Sequence, residues 1–175
     1  MKKIFLSLLL LILIAVGATF AINGKDNYDP SRYHVTATNG INKGSKLTLT
    51  LPDQFDKSHA ITDDTQQIIF VFAKDTGHIV KEFLKKQPKE YLEERHTLFV
   101  ADISPMPTII RNTFALPDLK KSSYSVLLIY DEAIAKILKN EAKADKIAVA
   151  KLDHGTITKI DFISSEEELN RSLAI

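Results

Sequence analysis

The chain predicts an α/β fold, in which strands sheltered on both faces alternate with amphipathic helices. Three observations carry that prediction. The run QQIIFVFAK is apolar at every position from Ile68 to Phe72, as a central strand covered on both sides requires. After a break at Ala73-Lys74-Asp75-Thr76-Gly77, the apolar residues Ile79, Val80, Phe83 and Leu84 recur at helical spacing, and Lys81, Lys85 and Lys86 favour the carboxyl end of that helix. Two further apolar runs, TLFVADI at 97–103 and SVLLIY at 125–130, repeat the strand signal.

Taken in order, residues 22–45 are polar and aperiodic, with scattered glycine, asparagine and proline, and read as a flexible lead or extended arm. KLTLTL at 46–51 alternates apolar and polar residues and predicts a half-buried strand that Pro52 and Asp53 stop; residues 59–62 fit a short second strand. The strand at 67–72 and the helix from Gly77 follow. Pro88 interrupts, and residues 89–95 fit a further helical turn or two. After the strand at 97–103, Ser104-Pro105-Met106-Pro107 turns into a helix with Ile109, Ile110, Thr113 and Phe114 as its inner face and Pro117 as its end. The strand at 125–130 leads into 131–139, where the alanines favour helix and the alternation in IAKIL allows a strand; the expectation is a strand. Residues 146–152 and 156–163 alternate on either side of Asp153-His154-Gly155, a hairpin pattern. Ser164, Ser165 and three glutamates then precede Leu169 and Leu173, the signature of a short closing helix.

Composition narrows the partners and the compartment. Residues 1–21 carry two lysines, an apolar run from Ile4 to Val16 interrupted only by Ser7, and a small-residue stretch, the layout of a secretory signal. Cleavage after Ala21 or Ala18 fits the small-residue rule. The apolar run to Phe20 is also near the lower limit for a bilayer span, so an uncleaved anchor is the alternative, and would be the chain's one attachment to a membrane. Both readings place residues 22–175 outside the cytoplasm, in the periplasm or on the outer face of the inner membrane. Removing the signal takes Lys2 and Lys3, leaving 21 basic against 22 acidic residues, so the formal charge moves from +1 to −1. No basic stripe is available to neutralise phosphates, which argues against nucleic acid as partner. The remaining length suits one domain with a real core. Cysteine is absent, so thiol chemistry and disulfide stapling are both excluded.

The order of elements and several residues resemble the thioredoxin-like fold, and more particularly the redoxin branch of extracytoplasmic thiol-disulfide oxidoreductases and peroxiredoxins. Leu51-Pro52-Asp53-Gln54-Phe55-Asp56-Lys57 is similar to that branch's leading hairpin, with Asp56 where a glycine is usual. IIFVFAKDTGHIVKEFL is similar to the strand, the Phe-x-Ala step and the active-site helix. The resemblance runs from about Lys46 to the end and implies a three-layer sandwich, a central mixed sheet flanked by helices. Thr76-Gly77-His78-Ile79 occupies the place of Cys-Gly-Pro-Cys, and no proline stands near Ser125, where the family's proline is expected. The resemblance therefore implies a redox-inactive member that keeps the scaffold and a partner-binding surface.

In open α/β sheets ligands collect outside the carboxyl ends of strands, so 74–78 is where a site is expected. The binding residues this suggests are Lys74, Asp75, Thr76, Gly77, His78 and Ser125. Asp75 and His78, with Asp102 at the end of the neighbouring strand, could orient a general base or supply part of a metal site; the simpler reading makes Asp75 a helix cap and His78 a solvated first-turn residue. Thr76 as a nucleophile needs an activating base within hydrogen-bond reach. His34, His59, His96 and His154 stand singly, without metal-ligand spacing, and read as surface or turn residues. Asp63-Asp64 lacks the pattern of a calcium loop, and no glycine motif supports a flavin or nicotinamide, so neither metal nor cofactor is expected. The function expected is a non-catalytic module that binds another envelope protein through 74–78 and 104–107; the alternative is a thiol-free enzyme using Asp75, His78 and Asp102.

Overall fold

The computed structural model describes residues 2–25 and 28–174. Its centre is a five-stranded mixed sheet in the order β6-β5-β4-β7-β8. β4 (Gln67–Val71), β5 (Thr97–Asp102) and β6 (Leu127–Ile129) run parallel, and β7 (Ile147–Asp153) and β8 (Thr156–Ile163) add an antiparallel hairpin beside β4. Every residue of β4 is buried, as its unbroken apolar run requires. Its side chains alternate between two cores: Ile68 and Phe70 face one, Ile69 and Val71 the other.

On the first face lie a small antiparallel sheet and a helix. β1 (His34–Ile41), β2 (Leu47–Pro52) and β3 (Ser58–Ala60) form the sheet, and α5 (Glu132–Leu138) completes the layer through Ile134, Ala135 and Leu138. Against the second face pack α2 (Lys74–Lys85) and α6 (Glu166–Leu173), through Val80, Phe83, Leu84, Leu169 and Leu173. The three layers are thus present, with one outer layer built mainly of strands.

Four expectations change. Residues 34–41 of the stretch read as a flexible lead are strand β1, with Val35 and Ile41 in the core. Tyr28 joins the body ahead of β1, its ring stacked on Tyr33 at 5.6 Å and on Tyr130 at 4.7 Å; the sequence does not show this stack because Tyr130 is about a hundred residues from the other two and meets them only in the fold. Asp26 and Asn27 of that stretch lie outside the described residues. Residues 132–138, expected as a strand, form helix α5. Asp131 caps it by accepting the Ala133 N–H at 2.7 Å, and Ile134, Ala135 and Leu138 fall on one helical face.

The helix after Pro107 does not end at Pro117. It runs through α3 (Thr108–Ile110), a π-helical segment (Arg111–Ala115) and α4 (Leu116–Leu119), and the wide turn absorbs the proline, which has no N–H to give. Its inner face is also rotated from the one expected: Ile109 and Thr113 stay half-buried. Ile110 and Phe114, expected inside, are 45% and 64% exposed, whereas Arg111 is 3% exposed, its guanidinium 4.8 Å over the Tyr130 ring.

The β7–β8 hairpin follows expectation, closing through His154 and Gly155 with φ of 46° and 73°, a pair of left-handed residues that matches the twist of the strands. α6 also starts as expected: Ser165 Oγ accepts the Glu168 N–H, and the Glu168 carboxylate accepts the Ser164 N–H at 2.7 Å. At the other end, α1 (Lys2–Asn23) carries the apolar run with its described side chains largely in solvent. Among the described residues no helix is long and apolar enough to cross a membrane.

Candidate functional site

β4 ends at Val71, opposite Ala101 of β5, so the turn into α2 and the turn after β5 share the carboxyl pole of the parallel strands. Helix α2 begins earlier than the glycine suggests. Ala73 is its extended N-cap, with φ −132° and ψ 151°, and the Gly77 N–H already donates to the Ala73 carbonyl at 3.0 Å. Asp75 is therefore inside the first turn and makes no side-chain capping bond; its carboxylate helps the helix through the dipole rather than as a cap. Thr76 is 3% exposed, and its hydroxyl donates to the Ala73 carbonyl at 2.8 Å. That hydroxyl is committed to the backbone and is no poised nucleophile. Lys74, Asp75 and His78 are exposed at the same turn.

Asp102 sits at this pole on β5, but its carboxylate is taken up locally. It accepts the Ser104 N–H at 2.9 Å and the Ser104 hydroxyl at 2.7 Å, which shapes the turn toward the exposed Pro105 and Pro107. Among the described residues no group of three or more histidines and acids could hold a metal ion.

Ser125 lies elsewhere. β6 runs parallel to β5 with Ile129 opposite Asp102, so Ser125, four residues earlier, stands roughly 13 Å back along the strands toward the amino pole. The segment that reaches the α2 turn from the antiparallel side is instead the start of β7: Ala148 pairs with Phe70, which brings Ile147, and Lys146 before it, beside the end of β4.

At the amino pole the structure assembles a cluster that single histidines and scattered acids do not reveal in sequence. Asp53 is 3% exposed; its Oδ1 accepts the N–H groups of Phe55 at 2.8 Å and Lys57 at 3.0 Å, and its Oδ2 lies 2.9 Å from His59 Nε2 and 3.5 Å from Ser125 Oγ. Burial by itself pushes the Asp53 carboxyl up, but the His59 hydrogen bond, the two backbone donors and the nearby imidazole outweigh it and hold the group below its ordinary value. Next to it, Gln54 Nε2 donates to the Tyr124 carbonyl and Gln54 Oε1 accepts the Val126 N–H, both at 2.8 Å. Together Asp53 and Gln54 dock the leading hairpin onto the segment before β6.

His59 and Ser125 border a cleft of about 550 Å³ that also takes in Lys57, Lys89, His96 and Glu93. Serine and histidine meet the same carboxylate oxygen rather than each other, so the trio has no serine–histidine bond of the kind that activates a nucleophile. The sequence signal that could have found it is Leu-Pro-Asp followed six residues later by histidine on the returning strand of the hairpin. Asp56, in the glycine's place, adopts φ 63° and accepts from Arg32 Nη1 at 3.1 Å and Tyr33 Oη at 2.9 Å, bonds that a glycine could not make.

No protein-family model matches this chain. No curated protein matches it. Among solved structures it is similar to a proposed protein disulfide isomerase from Bacteroides thetaiotaomicron, with a TM-score of 0.51 and 16% identity over 79% of this chain and 89% of that one. It is also similar to a proposed thiol:disulfide interchange protein DsbE from Chlorobium tepidum, with a TM-score of 0.50 and 9% identity over 77% of this chain and 96% of that one. The fold is thioredoxin-like, a mixed sheet flanked by helices, and it is built here without cysteine.

Proposed function

We propose that the protein is a redox-inactive thioredoxin-like binding module of the cell envelope, exported by residues 1–21, that docks another envelope protein at the carboxyl pole of its parallel strands. The observation that carries this reading is at the start of α2. The thioredoxin-like sheet and its flanking helices are present, but Thr76, in the place the resemblance gives to the nucleophile, has its buried hydroxyl bonded to Ala73, while Lys74, Asp75 and His78 around it remain exposed. Pro105, inside the turn that the Met106 N–H closes on the Ile103 carbonyl, and Pro107, extended at φ −54° and ψ 136°, lengthen that exposed edge, and rings that fix φ leave little backbone entropy to lose on binding.

The test is site-directed photo-crosslinking in envelope extracts, with the reactive side chain placed at His78 and, as control, at Lys159 on the far hairpin. A defined partner captured at 78 and not at 159 supports the reading; equal labelling at both positions would sink it. Purified protein should be blank in insulin reduction and peroxide consumption, because no thiolate exists to attack a disulfide or a peroxide. Intact-mass measurement of envelope protein should give an amino terminus at Ile22 or Thr19, whereas retention of Met1 would favour the anchor.

A further inference from the structure

We propose that the outer edge of β3 docks an extended peptide, which joins the small antiparallel sheet as a fourth strand and lies in the amino-pole cleft. β3 is the edge strand of that sheet. Its pairing with β2 fixes which backbone groups are left over. The Asp53 N–H donates to the Lys57 carbonyl at 2.8 Å and the Ile61 N–H to the Leu49 carbonyl at 3.1 Å, so Lys57, His59 and Ile61 turn their backbone groups toward β2. Ser58 and Ala60 alternate with them and turn their N–H and C=O groups outward, where among the described residues no strand pairs with them. An edge of this kind is a template for another chain.

What lies beside the edge is the cleft of about 550 Å³, with Lys57, Ala60 and Thr62 along one side and Leu98 and Leu127 of the central sheet in its lining. The layer over the central sheet is incomplete here. Ile68 on β4 is fully buried, whereas Leu98, its partner on β5 and packed against the same core, is only half-buried. That layer ends at β3, and one more strand beside β3 extends it over the cleft. The occupant is therefore an extended peptide. Outward N–H and C=O groups on alternate residues match a second backbone, and an apolar floor takes the side chains that such a strand turns inward at every second position. The charged residues around the cleft, Lys57 and Lys89 with Glu90 and Glu93, are mixed in sign, so the peptide is selected by its backbone and its inward apolar residues rather than by net charge. This edge stands at the amino pole, and the contact is independent of docking at 74–78.

Proline at residue 60 separates this contact from any other. It removes only the outward N–H, and an edge strand is where a sheet tolerates proline, so Ala60→Pro should melt close to the parent. Random heptapeptides displayed on phage are selected on the immobilised full-length chain and counter-selected on its Ala60→Pro variant, and an enriched peptide is synthesised. Its dissociation constant, read by fluorescence anisotropy, should rise about tenfold in Ala60→Pro, as the loss of about one or two backbone hydrogen bonds predicts. A second measurement uses the parent chain alone. Methylating the peptide's backbone nitrogens one at a time should weaken binding at alternate residues only, because an added strand turns every second amide toward β3. Failure to enrich any peptide against Ala60→Pro would overturn the proposal. So would equal tolerance of methylation at successive residues, which would mean recognition through side chains.

Discussion

Asp53 is the residue on which the leading hairpin depends. Replacing it with alanine leaves the Phe55 and Lys57 N–H groups and His59 without their acceptor, and should cost about 2–3 kcal/mol in denaturant unfolding. Because its folded pKa is depressed, the stability it contributes is fully present above its unfolded value, near 3.8, and is lost as pH falls through the folded value. The parent should therefore weaken toward acid pH, and Asp53→Asn should flatten that part of the profile; an unchanged acid limb in Asp53→Asn would remove Asp53 as its source. At the other pole, Asp75→Ala should cost only about half a kcal/mol, because the carboxylate acts on the helix dipole without capping. His78→Ala, at an exposed first-turn position, should cost no more. Zinc should leave the melting temperature of the parent and of both variants unchanged, and a shift of several degrees requiring both residues would revive the metal-assisted reading.

Element identity rests on caps and faces as much as on composition. Asp131→Ala removes the acceptor for the Ala133 N–H and should cost about 1 kcal/mol, with partial loss of hydrogen-exchange protection confined to residues 132–138. A strand in this place would not respond to that substitution. IAKIL was ambiguous because alternation and helical spacing both place Ile134 and Leu138 on a common face, and only the cap at Asp131 separates them. The helix at 108–119 was legible as an element but its faces were not. Period and hydropathy alone assign Ile110 and Phe114 to the core, and they cannot see that Tyr130 offers Arg111 a ring to cover.

For the whole molecule, the layer built by β1 to β3 and α5 belongs to the folding unit. A chain beginning at Lys46 would lose the burial of Val35 and Ile41 and the β1–β2 ladder. It should be destabilised by on the order of 4 kcal/mol from those two side chains alone, seen as a large drop in melting temperature beside the chain beginning at Ile22. Equal stability of the two chains would return residues 22–45 to the status of a loose lead. The two poles of the central sheet also divide the candidate residues, with 74–78 and Asp102 at one end and Asp53, His59 and Ser125 at the other. A variant at one pole should therefore add to a variant at the other, since sites without shared partners act independently.

What the sequence determined by itself was local or compositional. Cysteine content excludes thiol chemistry wherever the chain folds. The all-apolar run of β4, the alternation of β2, the left-handed pair His154-Gly155 and the Ser165 cap each depend on residues a few positions apart, so their physics is readable along the chain. By contrast β7, expected to alternate, is buried on both faces from Ile147 to Ala150 because it lies between β4 and β8. Tertiary structure decided what depends on the order of strands in space. Ser125 stands 72 residues from Asp53 in sequence, yet the two share a hydrogen bond, because β6 lies at the edge of the central sheet and the leading hairpin folds across it. The same strand order separated Ser125 from the turn to which sequence reasoning had joined it. Parallel strands carry their carboxyl ends to one pole, so a residue ahead of β6 and a residue after β4 stand at opposite ends of the sheet.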